Sequence, residues 1–291
     1  MRIRAIFTAT ALAGLAACSG PSPSSGGVQE TSEGGGDGVK LYVLDCGHIE
    51  MLDLSIFDAG GAYDGMQNSA VDTCYLLRHP KGDLLWDTGL PDAINAVEGG
   101  VAEGPFAMEM PKTLKGQLAE IGVAPADIEY LSLSHSHFDH AGNAGEYAAS
   151  TFIVHEAERA HMFRDEARAD TQSFAAYSAL ENAETVTFTD EYDVFGDGSV
   201  RIIAMPGHTP GHSVLLAQLD KAGPVLLTGD MYHLTEAREK RTVPVFNADA
   251  EETLRSMDRF EALAAKTGAR VIIQHEADDF AALPHAPDYL D

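Results

Sequence analysis

Apolar residues cluster in short strand-like runs along this chain, and the runs alternate with polar turns and with stretches of helical spacing. The predicted strands cover residues 40–46, 73–78, 83–89, 128–133, 151–155, 185–189, 200–205, 213–219, 225–228 and 270–273. The first three predict an antiparallel meander at the N-terminal edge of a sheet. The runs at 185–189 and 200–205 are expected to bracket a hairpin through the turn at 195–198.

Helical spacing occurs in three segments. Residues 112–121 begin next to a proline, which a first helical turn tolerates, and residues 156–169 are rich in charge. Asp249 is predicted to cap a helix over 251–266. The apolar face of that helix is expected to consist of Leu254, Met257, Phe260 and Leu263. Residues 90–110 show no clear period, which predicts a long loop.

Strands are followed by helices in each half of the chain, and several strands end directly in polar residues. This order predicts an α/β layered domain with its functional site along one edge of the sheets. The chain has 291 residues, of which 45% are hydrophobic, so it can bury a substantial core. No boundary is visible within residues 39–291, and we expect one domain there.

The first residues have the pattern of an export signal. Two arginines precede an apolar core at 6–17, which is too short for a membrane crossing of roughly 20 apolar residues. Residues 1–17 resemble a bacterial lipoprotein signal peptide, which implies lipidation of Cys18 and anchoring at the outer membrane, facing the periplasm. A plain secretory signal with an incidental cysteine is the alternative. Residues 18–38, rich in Gly and Ser, predict a flexible tether.

The formal net charge is -26. Such an acidic surface repels phosphate backbones, so nucleic acid is excluded as a partner. The charge suits solubility and a neutral small substrate, and contact with a membrane is expected only through the lipid anchor. A homodimer is compatible with the sequence, which leaves the oligomeric state open.

Cys46 and Cys74 are the two cysteines outside the signal. Export permits a disulfide between them. The sequence cannot place their Cα atoms within bridging range, and we interpret them as two buried free thiols.

Three imidazoles and a carboxylate follow the strand at 128–133 directly. Side chains two apart on an extended strand point the same way, so His135 and His137 can converge on one ion. Asp139 and His140 come after the strand ends, where the turning backbone can aim them at a second ion. These are the ligands expected of a catalytic zinc ion with a position open for water. A polar loop with chance histidines is the alternative, but no ordinary turn requires this combination.

Three later strand ends add candidate ligands at His208, Asp230 and His275. Together with the H-x-H-x-D-H motif at 135–140, this set resembles the metallo-β-lactamase superfamily over nearly all of residues 40–291. The resemblance implies an αββα sandwich with two divalent metal ions, expected to be zinc, at the edge of its two sheets. It implies a first ion held by His135, His137 and His208, a second held by Asp139, His140 and His275, and Asp230 as the bridge.

Within that superfamily the chain resembles the N-acyl homoserine lactonases, the quorum-quenching branch. The resemblance rests on residues 85–91, 135–143, 206–212 and 272–290. It implies a zinc-dependent hydrolase that opens a lactone ring by attack of a metal-bridging hydroxide, with Asp139 passing a proton to the leaving oxygen. The bridging aspartate argues against a true β-lactamase, since that branch generally lacks it.

The chain departs from the lactonase pattern three residues after the bridging aspartate, where the family has a tyrosine that meets the substrate carbonyl. Here that position is His233, and Tyr232 stands one residue earlier. Either side chain can donate a hydrogen bond to an oxyanion. We assign the contact to His233, while a strand-end core position for Tyr232 is an equally good interpretation.

Two further expectations concern the surroundings of the metals. Phe106, Met108 and Met110 are candidates for an acyl-chain groove, with ordinary lid packing as the alternative. His212 is expected to fix the loop that presents His208.

Two other functions remain open. Another dinuclear esterase or thioesterase, similar to glyoxalase II, would use the same ligands on a different ester. A lipoprotein that merely binds a ligand on an inactive hydrolase fold belongs to a different class, and the complete set of seven ligands argues against it.

Overall fold

The computed structural model of the protein describes residues 38–291. The predicted signal peptide and the predicted tether up to residue 37 lie outside the described residues. Within the described part, no helix combines the length and the apolar character that a membrane crossing requires.

The first eight strands form one sheet. They are β1 (Lys40–Met51), β2 (Asn68–His79), β3 (Gly82–Trp86), β4 (Val101–Glu103), β5 (Phe106–Glu109), β6 (Tyr130–Ser132), β7 (Thr151–His155) and β8 (Thr185–Phe188). Their order across the sheet is β4-β5-β1-β2-β3-β6-β7-β8. Strands β3, β6, β7 and β8 run parallel, so their carboxyl ends lie at one edge.

The last five strands form a second sheet in the order β13-β12-β11-β10-β9. They are β9 (Glu191–Asp193), β10 (Val200–Ala204), β11 (Ser213–Leu219), β12 (Gly223–Leu227) and β13 (Arg270–Ile272). Apolar side chains of both sheets, such as Trp86 and Leu215, pack together in one buried cluster between them.

The described helices cover the outer faces of the two sheets. They are α1 (Leu114–Glu120), α2 (Phe138–Ala141), α3 (Glu156–Met162), α4 (Asp165–Ala169), α5 (Thr171–Tyr177), α6 (Thr235–Lys240), α7 (Ala250–Thr267) and α8 (Ala277–Ala281). Leu118 and Met162 bury α1 and α3 against the first sheet, and Phe260 buries α7 against the second. The predicted αββα sandwich is confirmed.

The antiparallel meander of β1, β2 and β3 is present, but its predicted place at the sheet edge is wrong. The segment 90–110, predicted as a loop, contains the β4–β5 hairpin, and β5 pairs with β1. These strands are three and four residues long, too short for a periodic signal to register.

Two other element predictions are also wrong. Strand β8 pairs in parallel with β7 in the first sheet, and the hairpin partner of β10 is β9. The helix predicted over 156–169 is interrupted between α3 and α4. In both cases the local pattern was real, but long-range pairing and packing decided the partner and the break.

The Asp249 cap of α7 is present, since its side chain accepts a hydrogen bond from the backbone N–H of Glu252. The predicted face is shifted, because Leu254 is 38% exposed whereas Met257 and Phe260 are fully buried. The small residue Ala264 also belongs to the buried side of the helix. The sequence prediction overlooked it because it considered only large apolar residues.

The interpretation of Cys46 and Cys74 as free thiols is wrong. The structure joins them in a disulfide, with their Cα atoms 5.8 Å apart. Cys46 sits where the β1–β2 register shifts, between Asp45 and Gly47. Sequence alone could not place that β-bulge, which brings the two cysteines together.

Phe260 and Leu254, one buried and one exposed on α7, offer a paired test of stability. We expect Phe260→Ala to destabilise the fold by about 3–5 kcal/mol, because it leaves a cavity in the core. Leu254→Ala, the matched control on the same helix, should change stability by less than about 0.5 kcal/mol. Urea unfolding monitored by circular dichroism measures both, and equal losses would place Leu254 in the core after all.

Candidate metal centre

Four strand ends bring the seven predicted ligand residues together. The loop after β6 and the short helix α2 carry the residues of the 135–140 motif, and the segments after β10, β12 and β13 carry the others. Their ligand atoms form two groups in which all atoms lie within 4.8 Å of one another. The groups are His135, His137, His208 and Asp230, and then Asp139, His140 and His275.

Asp230 lies between the two groups, with one oxygen facing each. Its Oδ2 is 3.3 Å from His208 Nε2 and 3.6 Å from His135 Nε2. Its Oδ1 is 3.1 Å from His140 Nε2 and 3.0 Å from His275 Nε2. This geometry suits a carboxylate shared by two cations.

Hydrogen bonds on the far side of three histidine rings decide which nitrogen faces the centre. His140 Nδ1 donates to Asp87 Oδ2 at 3.0 Å, and His275 Nδ1 donates to the carbonyl oxygen of Val71 at 2.8 Å. His208 Nδ1 donates to Asn247 Oδ1 at 2.9 Å. Nε2 is therefore the nitrogen that each ring offers to the centre.

The nitrogens of the first group approach one another too closely for neutral neighbours with facing lone pairs. His208 Nε2 is 3.1 Å from His135 Nε2 and 3.0 Å from His137 Nδ1. Among the described residues, the buried Asp230 Oδ1 has no hydrogen-bond partner. Converging lone pairs and an orphaned carboxylate oxygen are what a cation site requires, so these residues fit a pair of divalent ions.

The electrostatics agree with this fit. Burial and the neighbouring imidazoles lower the pKa values of His135 and His137, which keeps both rings neutral and able to bind an ion. Burial alone would raise the pKa of Asp230, but the surrounding histidines outweigh it and hold that pKa well below its usual value. Burial lowers the pKa of His275, yet Asp230 and Asp139 reverse the sign and raise it to about 9. A metal ion must therefore displace a proton there.

Asp87 supports the ligand residues through hydrogen bonds on the side away from the cavity, a role that sequence reasoning missed. Its Oδ1 accepts the backbone N–H of Ser134 at 2.6 Å, and its Oδ2 accepts both His140 Nδ1–H and Gln274 Nε2–H. The residue adopts φ 59°, in the left-handed region that Asp tolerates better than most residues. Its position at the end of β3, beside the strand that delivers the histidines, was the available signal.

His212 occupies the supporting place expected of it. Its Nδ1 donates to the carbonyl oxygen of Met205, and its Nε2 accepts the backbone N–H of Asp230 at 3.0 Å. The ring thus joins the loop that carries His208 to the segment that carries Asp230.

A cavity of about 450 Å³ opens over the two groups. Its floor contains His137, Asp139, Asp230, His233 and His275. Its walls are apolar and come from separate segments of the chain, which include parts of β1, β5 and α2. The wall residues are Ile49, Met51, Ile56, Phe57, Pro105, Phe106, Phe138, Val245 and Phe246. Sequence reasoning found only Phe106 of these, because no local pattern marks distant segments of the chain that meet only through folding.

The prediction that Met108 and Met110 line the groove is wrong. Both are buried, at 5% and 4% exposure, in a cluster with Leu90. Met108 lies opposite Ile49 in the β5–β1 pair, and neighbouring apolar side chains such as Ile94 cover it. Phe106, two residues earlier on β5, reaches the cavity.

The structure excludes Tyr232 as the alternative donor to substrate and agrees with a core position for it. Its hydroxyl donates to Glu261 Oε1 at 3.0 Å, and its ring packs edge-on against Phe260, away from the cavity. His233 lines the cavity, with Nε2 3.0 Å from Asp230 Oδ2. The backbone at Tyr232 is extended, so consecutive side chains point to opposite sides.

Comparison with known proteins identifies the family. The model of the metallo-beta-lactamase superfamily matches residues 71–275. The N-acyl homoserine lactonase AttM of Azorhizobium caulinodans is 31% identical over 87% of this chain and 99% of the relative. An N-acyl homoserine lactonase of Bacillus cereus is also 31% identical, over 86% of this chain and 98% of the relative.

A solved structure agrees with these relatives. An N-acyl homoserine lactone hydrolase with the product N-hexanoyl-L-homoserine bound at its catalytic metal centre superposes with a TM-score of 0.72. It is 28% identical and covers 86% of this chain and 98% of that one. The chain belongs to the metallo-beta-lactamase superfamily and, within it, to the N-acyl homoserine lactonase family.

Proposed function

We propose that this protein is a dinuclear metal-dependent hydrolase that opens the lactone ring of N-acyl homoserine lactones. The observation that carries the proposal is Asp230, which joins two histidine groups at the floor of an apolar cavity. Relatives named as lactonases, matched over nearly their whole length, support this substrate class.

His135, His137 and His208 would hold one ion, Asp139, His140 and His275 the other, and Asp230 both. We propose zinc, which accepts this mixture of imidazole and carboxylate ligands. Two such ions, when bound, polarise an ester carbonyl and lower the pKa of water towards neutrality.

Asp139 is placed to move a proton during ring opening. Its carboxylate lies at the cavity floor, 3.8 Å from His275 Nε2, and its side chain keeps 13% exposure. A carboxylate there can accept the proton that the attacking water loses and pass it to the ring oxygen as the C–O bond breaks, which avoids expelling an alkoxide.

His233 is proposed to contact the lactone carbonyl. Its ring lines the cavity, and its Nε2 lies 3.0 Å from Asp230 Oδ2, so an N–H there is close to an oxygen held over the centre. Phe57 packs edge-on against the ring at 4.8 Å and His275 stacks parallel to it at 5.9 Å, and these contacts fix its orientation.

The apolar walls suit the acyl chain. Phe106, Phe138 and Phe246 surround the floor. An aliphatic chain packed against them gains a favourable free energy of about 25 cal/mol for each Å² of apolar surface removed from water. A neutral amide and lactone also avoid repulsion by the strongly acidic protein.

The substrate class is tested with the zinc-loaded protein on a panel of esters. We expect hydrolysis of short- and long-chain N-acyl homoserine lactones, a metal content near two ions per chain, and loss of activity on chelation. A thioester and an aryl ester, assayed beside the lactones, represent the esterase alternative. Two bound ions with no lactone turnover would refute the proposal.

The oxyanion contact is tested with adjacent substitutions. His233→Ala should lower kcat by about 100-fold, the usual scale for the loss of one oxyanion donor. Tyr232→Phe, the matched control, removes only a hydroxyl that faces Glu261 and should leave kcat near the unsubstituted value. Steady-state kinetics at equal metal loading measure both, and unchanged turnover in His233→Ala would exclude the assigned role.

We further propose that the protein is exported and anchored to the outer membrane, facing the periplasm, by a lipid at Cys18. The signal-like segment 1–17 supports export, and so does the Cys46–Cys74 disulfide, since disulfides persist in oxidising compartments.

The anchor is tested by fractionation of the cells that produce the protein. Cys18→Ser should move the protein from the membrane pellet to the soluble fraction, because it removes the acceptor of the lipid. Ser25→Ala in the tether is the control and should stay in the pellet. Equal partitioning of both variants would contradict the anchor.

A further inference from the structure

We propose that Glu158 is a positioning residue for the metal centre. Its buried carboxylate fixes the segment that carries His135 and His137 against the segment that carries His208, and thereby sets the geometry of the first ligand group. The inference rests on the proposed metal-dependent function.

Each oxygen of Glu158 serves one of the two ligand segments. Oε1 accepts the backbone N–H of Ser136 at 2.9 Å and its hydroxyl at 2.7 Å. Oε2 accepts the hydroxyl of Thr209 at 2.7 Å and the backbone N–H of Gly211 at 3.0 Å. Ser136 stands between the two histidines of the motif, and Thr209 follows His208 directly.

These contacts join the two sheets at the centre. The motif follows β6 of the first sheet, whereas His208 follows β10 of the second. One backbone hydrogen bond, from Ser213 N–H to the carbonyl oxygen of Ser134, also connects the segments. One hydrogen bond alone would let the two ligand segments rotate relative to each other. The hydrogen bonds of Glu158 connect the segments at a second place and so restrict that rotation.

Burying the charged carboxylate of Glu158 costs free energy of desolvation, which hydrogen bonds must offset. Glu158 is 1% exposed, and the arginines that follow it on the chain are engaged elsewhere. Arg159 donates to the backbone carbonyl oxygen of Glu181, whereas Arg164 and Arg168 pair with other carboxylates. A buried carboxylate is tolerated when hydrogen bonds replace its hydration, and Glu158 accepts four of them.

The backbone is shaped to bring the carboxylate this close. A Cβ atom on Gly211 would lie 2.3 Å from the backbone nitrogen of Glu158 and 2.6 Å from its Cβ. Only glycine allows the His208 segment to rest directly on α3. The same approach places His208 Nε2 within 3.0 Å of His137 Nδ1.

Glu156 provides a matched control. It lies in the first turn of the same helix, so its negative charge interacts with the helix dipole as favourably as that of Glu158. Its side chain, however, is exposed. Glu156→Gln and Glu158→Gln therefore remove the same charge from the same turn. Only the second places an amide NH₂ group against hydroxyl and N–H donors.

The test is a chelator titration of the zinc-loaded full chain, which reports the affinity of each ion without any substrate. Glu158→Gln should weaken one ion by about 10- to 100-fold and leave the other unchanged, whereas Glu156→Gln should retain both. Excess zinc should restore kcat in Glu158→Gln with little change in KM. Two ions bound with unchanged affinity by a folded Glu158→Gln protein would overturn the proposal.

A milder pair guards against misfolding of the glutamine variant. Ser136→Ala and Thr209→Val each remove one hydroxyl donor to Glu158, and both should weaken the same ion by a smaller factor. Unchanged affinity in both would equally overturn the inference. Lactone turnover is measured separately, so failure of the proposed substrate would leave this result standing.

Discussion

The structure depends on one buried carboxylate, Asp230, placed where the ends of the two sheets meet. Its two oxygens face different histidine groups at 3.0–3.6 Å, and the rings around it keep it ionised despite its burial. A charge in that position is stable only if cations or protonated imidazoles surround it. This requirement ties the chemistry of the site to the sandwich, because no single element could supply the partners.

A second layer of acceptors holds the ligands in their orientations. Asp87 fixes His140 and the start of the motif, and Glu158 fixes the motif against the His208 segment. Asn247 fixes His208 by accepting a hydrogen bond from its ring. Thr253 in turn sets the orientation of the Asn247 amide. The hydroxyl of Thr253 donates to the carbonyl oxygen of Asp249 and therefore accepts from the amide NH₂ group. These groups are negative or carbonyl-like, which suits rings that must donate outwards and bind a cation inwards.

The cavity adds a different constraint. Its floor is polar and its walls are apolar, so the same opening favours a hydrolysable polar head and an aliphatic tail. The polar part follows from the ligands. The walls follow from the packing of β1, β5 and α2 with the loops beside them. Phe246 lies in the same loop as Asn247, so part of the wall and the support of His208 are adjacent in the chain.

The sequence by itself determined the strand and helix types of most elements, the cap at Asp249, and the identity and order of the residues that converge on Asp230. These are local properties, since period, cap chemistry and ligand type can be read within a few neighbouring residues. Only the tertiary structure decided the pairing of β5 with β1, the Cys46–Cys74 bond, the separation of Tyr232 from the cavity and the roles of Asp87 and Glu158. Each of these depends on residues far apart in the chain, and register and side-chain direction are fixed only when the sheets pack.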